Sequence, residues 1–404
     1  MKGKIYLLFL IASLVISCSS TRLIPTYDKG LLTLIDRNLQ EAADQYLYLS
    51  MQLPAGRLPR SFGKDGLVTS DSKWWCSGFY PGTLLLLHEN NANPALYKEA
   101  IKRLALLANE QFNTTTHDLG FMMYCSYGNA NRLNPDSSYK EVLVNSAKSL
   151  STRFNPVTGT IRSWDSKNKN EFLVIIDNMM NLELLFYATR VTGDSSFYKI
   201  AVTHADNTIK NHFRPDYSSY HVVNYNASDG SIQDKRTAQG AADSSAWARG
   251  QAWGFYGYVV MFRETRDKKY LDQAKKIAAF LLSHLNMPPD KIPYWDFDAP
   301  GIPHALRDVS AAAILASGLL ELSTYTDKAE SEKYIHDAGT ILRSLSTDTY
   351  KSASREQGGF LLKHSVGSIP HKSEIDVSLT YADYYFVEAM MRYKGLARGK
   401  GMRN

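Results

Sequence analysis

The sequence predicts an all-α protein in which six helical hairpins close into a ring, an α/α toroid. Apolar residues recur with helical spacing in twelve segments of the 404-residue chain. The long β-branched alternations of a sheet protein are missing, and only residues 172–176 and 220–224 resemble strands. No linker rich in Pro, Gly or Ser divides the chain, so we expect one domain.

Twelve predicted helices, taken in pairs, give the six hairpins. Turns with the residues that begin helices stand before several of them, as at Asn93-Pro94, Gly193-Asp194 and Arg266-Asp267. The predicted helices span residues 30–51, 79–91, 95–113, 119–128, 138–153, 177–192, 195–212, 248–265, 268–285, 306–325, 331–347 and 377–394.

A weak repeat marks four of these helices, in which a bulky residue stands four positions before an Ala. Residues four apart share one helical face, so these pairs are predicted to be core rather than site residues. A right-handed solenoid is the structural alternative to a ring. Closure is favoured because polar and aromatic segments recur at several inner-helix starts, and a ring brings those ends together. The pairs are Leu96/Ala100, Phe197/Ala201, Tyr270/Ala274 and Tyr334/Ala338.

The N-terminus is predicted to be a bacterial lipoprotein signal peptide over residues 1–17. Lys2 and Lys4 precede an apolar run, Ile5 to Ile16, that is too short to remain as a membrane span. The small residue Ser17 then precedes Cys18, whose lipidation would anchor the chain in the cell envelope, facing the periplasm. An ordinary signal peptide with a coincidental Cys is the alternative. Residues 18–29 would form a tether and residues 30–396 the catalytic domain.

The charge pattern excludes a nucleic-acid-binding protein of the usual type. The net charge is +6 and the pI about 8.9, but no block of Lys and Arg concentrates this charge. Such a scattered basic balance suits a small polyanionic substrate. The His residues lack metal-ligand spacing, and we expect neither a metal ion nor a cofactor. Beyond the lipid anchor, no contact with the membrane is expected.

The segment Thr237 to Trp253 is the most informative candidate site. It combines two indoles, a guanidinium and two side-chain amides with almost no aliphatic bulk, unlike a core helix or a solvated loop. Indole covers the apolar face of a sugar ring, and an Arg can fork onto a carboxylate, as a sugar-acid site requires. The alternative is a Trp-anchored helix start with incidental polar residues. Gly250, Gly254 and Gly257 form a helical stripe that a neighbouring segment can approach closely.

Two aspartates are the candidate catalytic groups. Asp118 and Asp177 each precede a predicted helix, and N-capping is the alternative role for either one alone. Apolar residues flank Asp177 on both sides, and burial raises a carboxyl pKa, as a proton donor at neutral pH requires. The helix dipole acts in the opposite direction. For Asp177 to act as the acid, desolvation or the like charge of Asp118 must therefore raise its pKa more than the helix dipole lowers it.

Five motifs together resemble the unsaturated glucuronyl hydrolases, glycoside hydrolase family 88. They are W-x-x-G-F-x-P-G from Trp75, H-D-x-G-F from His117, I-I-D-x-M-M-N-L from Ile175, T-x-Q-G-x-x-D-x-S-x-W-x-R-G-Q-A-W from Thr237, and Tyr381-x-Asp383-Tyr384-Tyr385-Phe386. The resemblance covers the chain after about residue 30. It implies an (α/α)6 barrel. Ala382 departs from the Gly expected in the last motif, which should affect packing rather than chemistry.

The resemblance also implies an activity and a set of site residues. The family removes a 4,5-unsaturated uronic acid from the non-reducing end of lyase-generated oligosaccharides, here glycosaminoglycan fragments. Asp177 resembles its catalytic acid and base, and Asp118 its assisting carboxylate. Ser368 and Lys372 correspond to a region that can contact sulfate, although a plain surface turn is an equal alternative. The other implied substrate contacts are Trp75, His117, His221, Gln239, Trp247, Arg249 and Trp253.

The implied reaction does not proceed at C1 as ordinary glycoside hydrolysis does. Protonation at C4 of the enol ether develops positive charge at C5, where water adds, and the resulting hemiketal opens. Two other functions remain open from the sequence. One is unsaturated rhamnogalacturonyl hydrolysis on a similar fold, and the other is a sugar-binding lipoprotein that has lost catalysis.

Overall fold

The computed structural model describes residues 27–400. The predicted signal peptide, Cys18 and all but the last residues of the predicted tether lie outside this part of the chain. Within residues 27–400, no helix combines the length and the apolar character needed to cross a membrane. The α-helices of the described chain are α1 Lys29–Gln52, α2 Phe79–Asn91, α3 Pro94–Leu104, α4 Asn129–Leu133, α5 Ser137–Ser151, α6 Leu182–Thr192, α7 Ser195–His212, α8 Ala248–Thr265, α9 Lys268–Ser283, α10 Val309–Leu322, α11 Lys328–Leu345 and α12 Thr380–Ala397.

The helices form a closed double ring, so the toroid prediction is confirmed and the solenoid alternative is wrong. The inner ring contains α2, the segment 120–133, α6, α8, α10 and α12, each in contact with the next, and α12 returns to contact α2. The outer ring contains α1, α3, α5, α7, α9 and α11, which pack on their inner neighbours. Helices α8 and α10 are buried almost along their whole length, as expected for elements surrounded by other helices.

Outer helices begin where the sequence predicted, at short polar side chains. The side-chain oxygens of Asn93, Asp194 and Asp267 accept backbone N–H groups from the first turns of α3, α7 and α9. The Leu or aromatic residues paired with Ala in these helices are buried, which confirms them as core.

Several predicted helices differ in their geometry, most clearly two of them. The predicted helix 95–113 is α-helical only to Leu104 and continues as a 3₁₀-helix, Ala105–Phe112. The predicted helix 119–128 is a π-helix, Gly120–Gly128, whose wide turns often adjoin functional sites. Asn181 packs against the start of this π-helix. Its side-chain oxygen accepts the N–H of Phe121, and its backbone lies against Gly120. Apolar spacing alone does not distinguish these helix types.

Short strands connect the helices at one end of the ring and were largely missed. The two strand-like runs are confirmed as β5 and β6, which pair antiparallel from Glu171↔Asn226 to Ile175↔Val222. The other strands have two to seven residues and lack an apolar run like that of β5, since polar residues, Gly or Pro interrupt them. The sheets of the described chain have the orders β2-β1-β9-β8, β3-β4 and β5-β6-β7. Their strands are β1 Leu58–Gly63, β2 Gly66–Ser70, β3 Phe154–Asn155, β4 Thr160–Ile161, β5 Glu171–Ile175, β6 Val222–Asn226, β7 Ile232–Arg236, β8 Ser365–Ser368 and β9 Ser373–Leu379.

The glycine stripe on α8 is confirmed as a surface of close approach. Its partner is the 3₁₀-helix Ile176–Asn181, which follows β5. A Cβ on Gly257 would lie 2.4 Å from the Cβ of Met179, a distance that no side chain tolerates. The stripe therefore lets the segment that carries Asp177 pack directly on the inner ring.

Candidate active site

Seven of the eleven residues predicted for the site line one cleft of about 400 Å³. The cleft lies at the end of the ring where inner helices begin, because its lining residues precede or open α2, the π-helix, α6, α8 and α12. Asp118 and Asp177 both belong to this lining, although 59 positions separate them in sequence. The lining residues that the sequence predicted are Trp75, His117, Asp118, Asp177, Gln239, Arg249 and Ser368.

Asp177 is a buried carboxyl held between strand β5 and the inner ring. It is 9% exposed, and the apolar strand β5 delivers it into the cleft. Burial raises the pKa of Asp177 to about 7; Arg249 opposes this rise and Asp118 adds to it. Desolvation therefore prevails over the helix N-terminus, as the acid role requires. Its Oδ2 atom is buried and has no hydrogen-bond partner in the described chain.

His221 faces this free oxygen as a neutral hydrogen-bond donor. Its Nδ1 accepts the backbone N–H groups of Ala238 at 3.0 Å and Gln239 at 3.2 Å, so the ring proton must be on Nε2. Burial lowers the pKa of His221 well below its ordinary value, which keeps the ring neutral. Nε2 lies 3.8 Å from Asp177 Oδ2, and neither atom has another partner. His221 thus lies behind the cleft lining, against the catalytic carboxyl.

His117 and Asp118 form a second pair across the cleft from Asp177. The His117 Nε2 atom is 3.3 Å from Asp118 Oδ1, and burial lowers the pKa of this imidazole. Thr116, which sequence reasoning missed, donates its hydroxyl to Asp118 Oδ2 at 2.7 Å. Asp118 is therefore an oriented carboxyl and not a helix cap.

Arg249 does not present a free fork to a ligand. Its guanidinium is 3% exposed, and its Nη1 donates to Asp308 Oδ2 at 3.2 Å and to the carbonyl of Val366. Its Nη2 donates to Gln239 Oε1 at 2.9 Å and to the carbonyl of Gly367 at 2.6 Å. All four Nη hydrogens therefore have acceptors in the protein. The expected bidentate contact to a carboxylate is not available in this arrangement, and Arg249 contributes its charge instead.

The three predicted tryptophans occupy different depths. Trp75 lines the cleft and packs on Tyr381 with ring centroids 4.8 Å apart. Trp247 lies behind the lining, between the His221 ring and the guanidinium of Arg249. Trp253 is a correction: it is fully buried against Phe121, one helical turn deeper than Arg249, and does not reach the cleft. The helical spacing correctly predicted that Trp253 and Arg249 share a face of α8, but it did not predict how deep Trp253 lies.

The two predicted sulfate contacts, Ser368 and Lys372, lie at the turn between β8 and β9 but line different grooves. Ser368 lines the cleft, and its hydroxyl lies 2.8 Å from His371 Nδ1. Lys372 is exposed and lines a neighbouring groove rather than the cleft itself, so its contact with sulfate stays a prediction. Its positive φ of 51° places it in the turn, where the chain changes direction.

Several cleft residues were missed because short strands deliver them. Arg60 on β1 forms a 2.6 Å ion pair with Glu374 on β9 and lies 4.0 Å over the ring of Trp74. The pairing of β1 with β9, near residues 61 and 379, joins segments more than 300 positions apart. No local pattern in the sequence gives that register. The other lining residues that were missed are Lys73, Trp164, His371, Ser373 and Tyr381.

The described chain contains no group of three or more His, Cys, Asp or Glu side chains arranged to hold a metal ion. What the cleft offers instead is a carboxyl with a pKa near 7, a second carboxyl, the neutral imidazole of His117 and aromatic walls. Such a carboxyl can donate a proton and then accept one at neutral pH. The aromatic walls suit the apolar faces of sugar rings.

Comparisons with known proteins agree with this geometry. No family model matches the chain. The unsaturated glucuronyl hydrolase of Formosa agariphila is 46% identical over 346 residues, which cover 85% of this chain and 86% of the relative. The unsaturated chondroitin disaccharide hydrolase of Streptococcus pneumoniae is 32% identical over 80% of this chain and 82% of its own length.

A solved structure shows the same fold. The crystal structure of an unsaturated glucuronyl hydrolase specific for heparin superposes with a TM-score of 0.88 at 43% identity, covering 92% of this chain and all of the other. Similarity at this level extends over most of the chain. The chain belongs to the unsaturated glucuronyl hydrolases.

Proposed function

We propose that this chain removes the 4,5-unsaturated uronic acid from the non-reducing end of glycosaminoglycan oligosaccharides produced by lyases. The observation that carries the proposal is Asp177, a buried carboxyl with a pKa of about 7 in the same cleft as Asp118. The relatives support this substrate class, since they are glucuronyl and chondroitin disaccharide hydrolases. They do not favour the rhamnogalacturonyl and sugar-binding alternatives.

The chemistry follows from the state of Asp177. As a neutral acid it transfers its proton to C4 of the enol ether, and positive charge develops at C5 and the ring oxygen. The resulting carboxylate then takes a proton from the water that adds to C5, which restores the acid. The hemiketal formed at C5 opens and expels the remaining sugar. One carboxyl thus completes the cycle, and no proton is gained or lost by the enzyme.

The surroundings of Asp177 stabilise its anion during this cycle. When the proton leaves, the charge of Arg249 and the Nε2–H of His221 face the new carboxylate. Both groups are held by the protein before the substrate binds, so little reorganisation is needed. Their placement explains how a desolvated acid can still release its proton.

A sulfated disaccharide is the finer proposal. Ser368, His371 and Ser373 bring hydroxyl and imidazole groups to one side of the cleft, beside Arg60. Hydroxyl, imidazole and guanidinium groups can hydrogen bond to sulfate oxygens. The exposed side chain of Lys73 also lines the cleft and adds a positive charge for an anionic ligand.

Hydrolysis in heavy-oxygen water tests the proposed reaction. Chondroitin-, hyaluronan- and heparin-type unsaturated disaccharides, with and without sulfate, are followed by loss of the ultraviolet absorbance of the conjugated double bond. We expect turnover of glycosaminoglycan disaccharides and label at C5 of the released uronate, because water adds to that carbon. Label at C1 of the sugar would show ordinary glycoside hydrolysis. Turnover of rhamnose-linked substrates alone would favour the rhamnogalacturonyl activity.

We also propose that Cys18 is lipidated and anchors the chain in the bacterial cell envelope, facing the periplasm. The support is the N-terminal sequence, which has a charged start, a short apolar run and a small residue directly before Cys18. Fractionation of cells that carry Cys18→Ser tests this proposal. Retention of the variant in the membrane fraction would contradict it.

A further inference from the structure

The residue next to Asp177 has a fixed orientation that determines the state of a cleft histidine. Asn178 is fully buried, and its Nδ2 donates to the carbonyl of Ile161 at 2.7 Å and to Ser163 Oγ at 3.1 Å. A backbone carbonyl can only accept, so the amide cannot be turned around. The Asn178 Oδ1 atom, an obligatory acceptor, therefore faces His117 Nδ1 at 3.0 Å.

This contact places a proton on His117 Nδ1. Burial lowers the pKa of His117, so the neutral ring carries no second proton and its Nε2 presents a lone pair. That lone pair lies 3.3 Å from Asp118 Oδ1, which is also an acceptor when ionised. Two acceptors at this distance repel each other until a hydrogen is placed between them.

The second histidine has the opposite arrangement. Two backbone N–H groups, from Ala238 and Gln239, point at His221 Nδ1 and leave the proton on Nε2. His221 therefore offers a donor toward Asp177, whereas His117 offers an acceptor toward Asp118. The protein sets the two rings in different tautomers before any ligand binds.

We infer that Asn178 is a positioning residue that holds His117 as the Nδ1–H tautomer, so that His117 Nε2 and Asp118 Oδ1 together accept a substrate hydroxyl. The inference rests on the proposed function, since an unsaturated uronic acid carries hydroxyls that can supply this hydrogen. Without Asn178 the ring is free to place its proton on Nε2. It would then donate to Asp118 Oδ1, and the His117 Nε2 atom would no longer accept a hydrogen from the substrate.

The first test is a long-range proton–nitrogen spectrum of the full chain labelled with ¹⁵N-histidine at pH 7. Each tautomer has its own pair of nitrogen shifts, and His117→Gln and His221→Gln identify the two signals. We expect the Nδ1–H form for His117 and the Nε2–H form for His221. A His117 ring in the Nε2–H form, or doubly protonated, would overturn the inference. The tautomer is measured on the unaltered protein, and the two variants serve only to assign its signals.

The second test is Asn178→Leu, which keeps the branching and the number of heavy atoms and removes the amide. We expect His117 to shift toward the Nε2–H form, and KM to rise about tenfold while kcat changes by no more than about threefold, because a ground-state contact is lost. The His221 signal should not change. Unchanged His117 shifts and KM in a folded variant would overturn the inference.

Asn211→Leu is the matched control. Asn211 is also a buried amide, but it donates to Tyr225 on β6, outside the cleft. Its replacement should lower stability without moving the His117 signal or KM. Absence of turnover by the unaltered protein on every unsaturated disaccharide would refute the proposed function, and the spectrum would still decide the tautomer.

Discussion

Asp177→Asn is expected to abolish turnover while disaccharide binding is retained. The amide resembles the protonated carboxyl in shape and charge but has no acidic proton, so kcat should fall by about 10³-fold or more. Binding persists because the cleft already holds Asp177 in a neutral form below pH 7. Rates by ultraviolet absorbance and affinity by calorimetry measure the two effects. Turnover within about tenfold of the unaltered enzyme would refute the catalytic assignment.

The same change should stabilise the protein at alkaline pH. Folding raises the pKa of Asp177 from its ordinary 3.8 to about 7, so the fold disfavours the ionised group. Native stability therefore decreases as the pH rises from about 4 through 7, whereas an amide does not titrate. At pH 8 the variant should gain about 4 kcal/mol in free energy of unfolding, and it should gain little at pH 4.

Asp383→Asn provides a matched control for Asp177→Asn. Asp383 is also buried with a pKa raised by burial to about 7, but its oxygens accept the N–H groups of Leu361 and Leu362 and the hydroxyl of Tyr46. An amide nitrogen in this position would face an N–H donor. We expect lower stability with kcat preserved. If Asp177→Asn loses kcat and gains stability while Asp383→Asn keeps kcat and loses stability, the catalytic role of Asp177 is distinguished from an effect of burial alone.

Arg249→Met is expected to have the second-largest effect. It leaves Asp308, which is fully buried, without a partner for its Oδ2, and this should lower the free energy of unfolding by about 3 kcal/mol. It also removes the charge that lowers the pKa of Asp177, so the alkaline limit of kcat/KM should move to higher pH. We expect kcat/KM to fall about 100-fold, because the Asp177 anion loses its counter-charge.

Denaturant unfolding and pH–rate profiles measure these changes. Arg249→Lys is the matched variant, because it keeps the charge but not the contacts to Gln239 and Gly367. Its alkaline limit should stay near that of the unaltered enzyme. An unshifted limit in Arg249→Met would contradict the electrostatic role of the arginine.

The chemistry-bearing residues could be predicted because local patterns carry them. Asp177 stands between an apolar strand and an apolar helix, which predicts burial, and the burial and its effect on the pKa are both found. Asp118 was predicted as a candidate in the same way, because it also stands at the start of a predicted helix. The two aspartates come together because the helices close into a ring. The helical periodicity and the repeated polar segments predicted that ring.

The remaining features depend on long-range packing. The ion pair of Arg60 with Glu374 arises from the pairing of β1 with β9, which lie more than 300 positions apart in the sequence. Trp253 shares a helical face with Arg249 but lies deeper in the ring. The fork expected of Arg249 is occupied by the carbonyls of Val366 and Gly367, from a distant segment. Periodicity gives a residue's face, while depth and partners come from the tertiary structure.

Titration of the Asp177 carboxyl tests the central claim most directly. Carbon NMR of protein labelled at the aspartate carboxyls, compared with Asp177→Asn, identifies its signal and follows it with pH in the absence of substrate. We predict a midpoint near pH 7, because burial outweighs the charge of Arg249. A midpoint near the ordinary value of 3.8 would mean that the resting enzyme holds no proton for the alkene carbon, which would contradict the account.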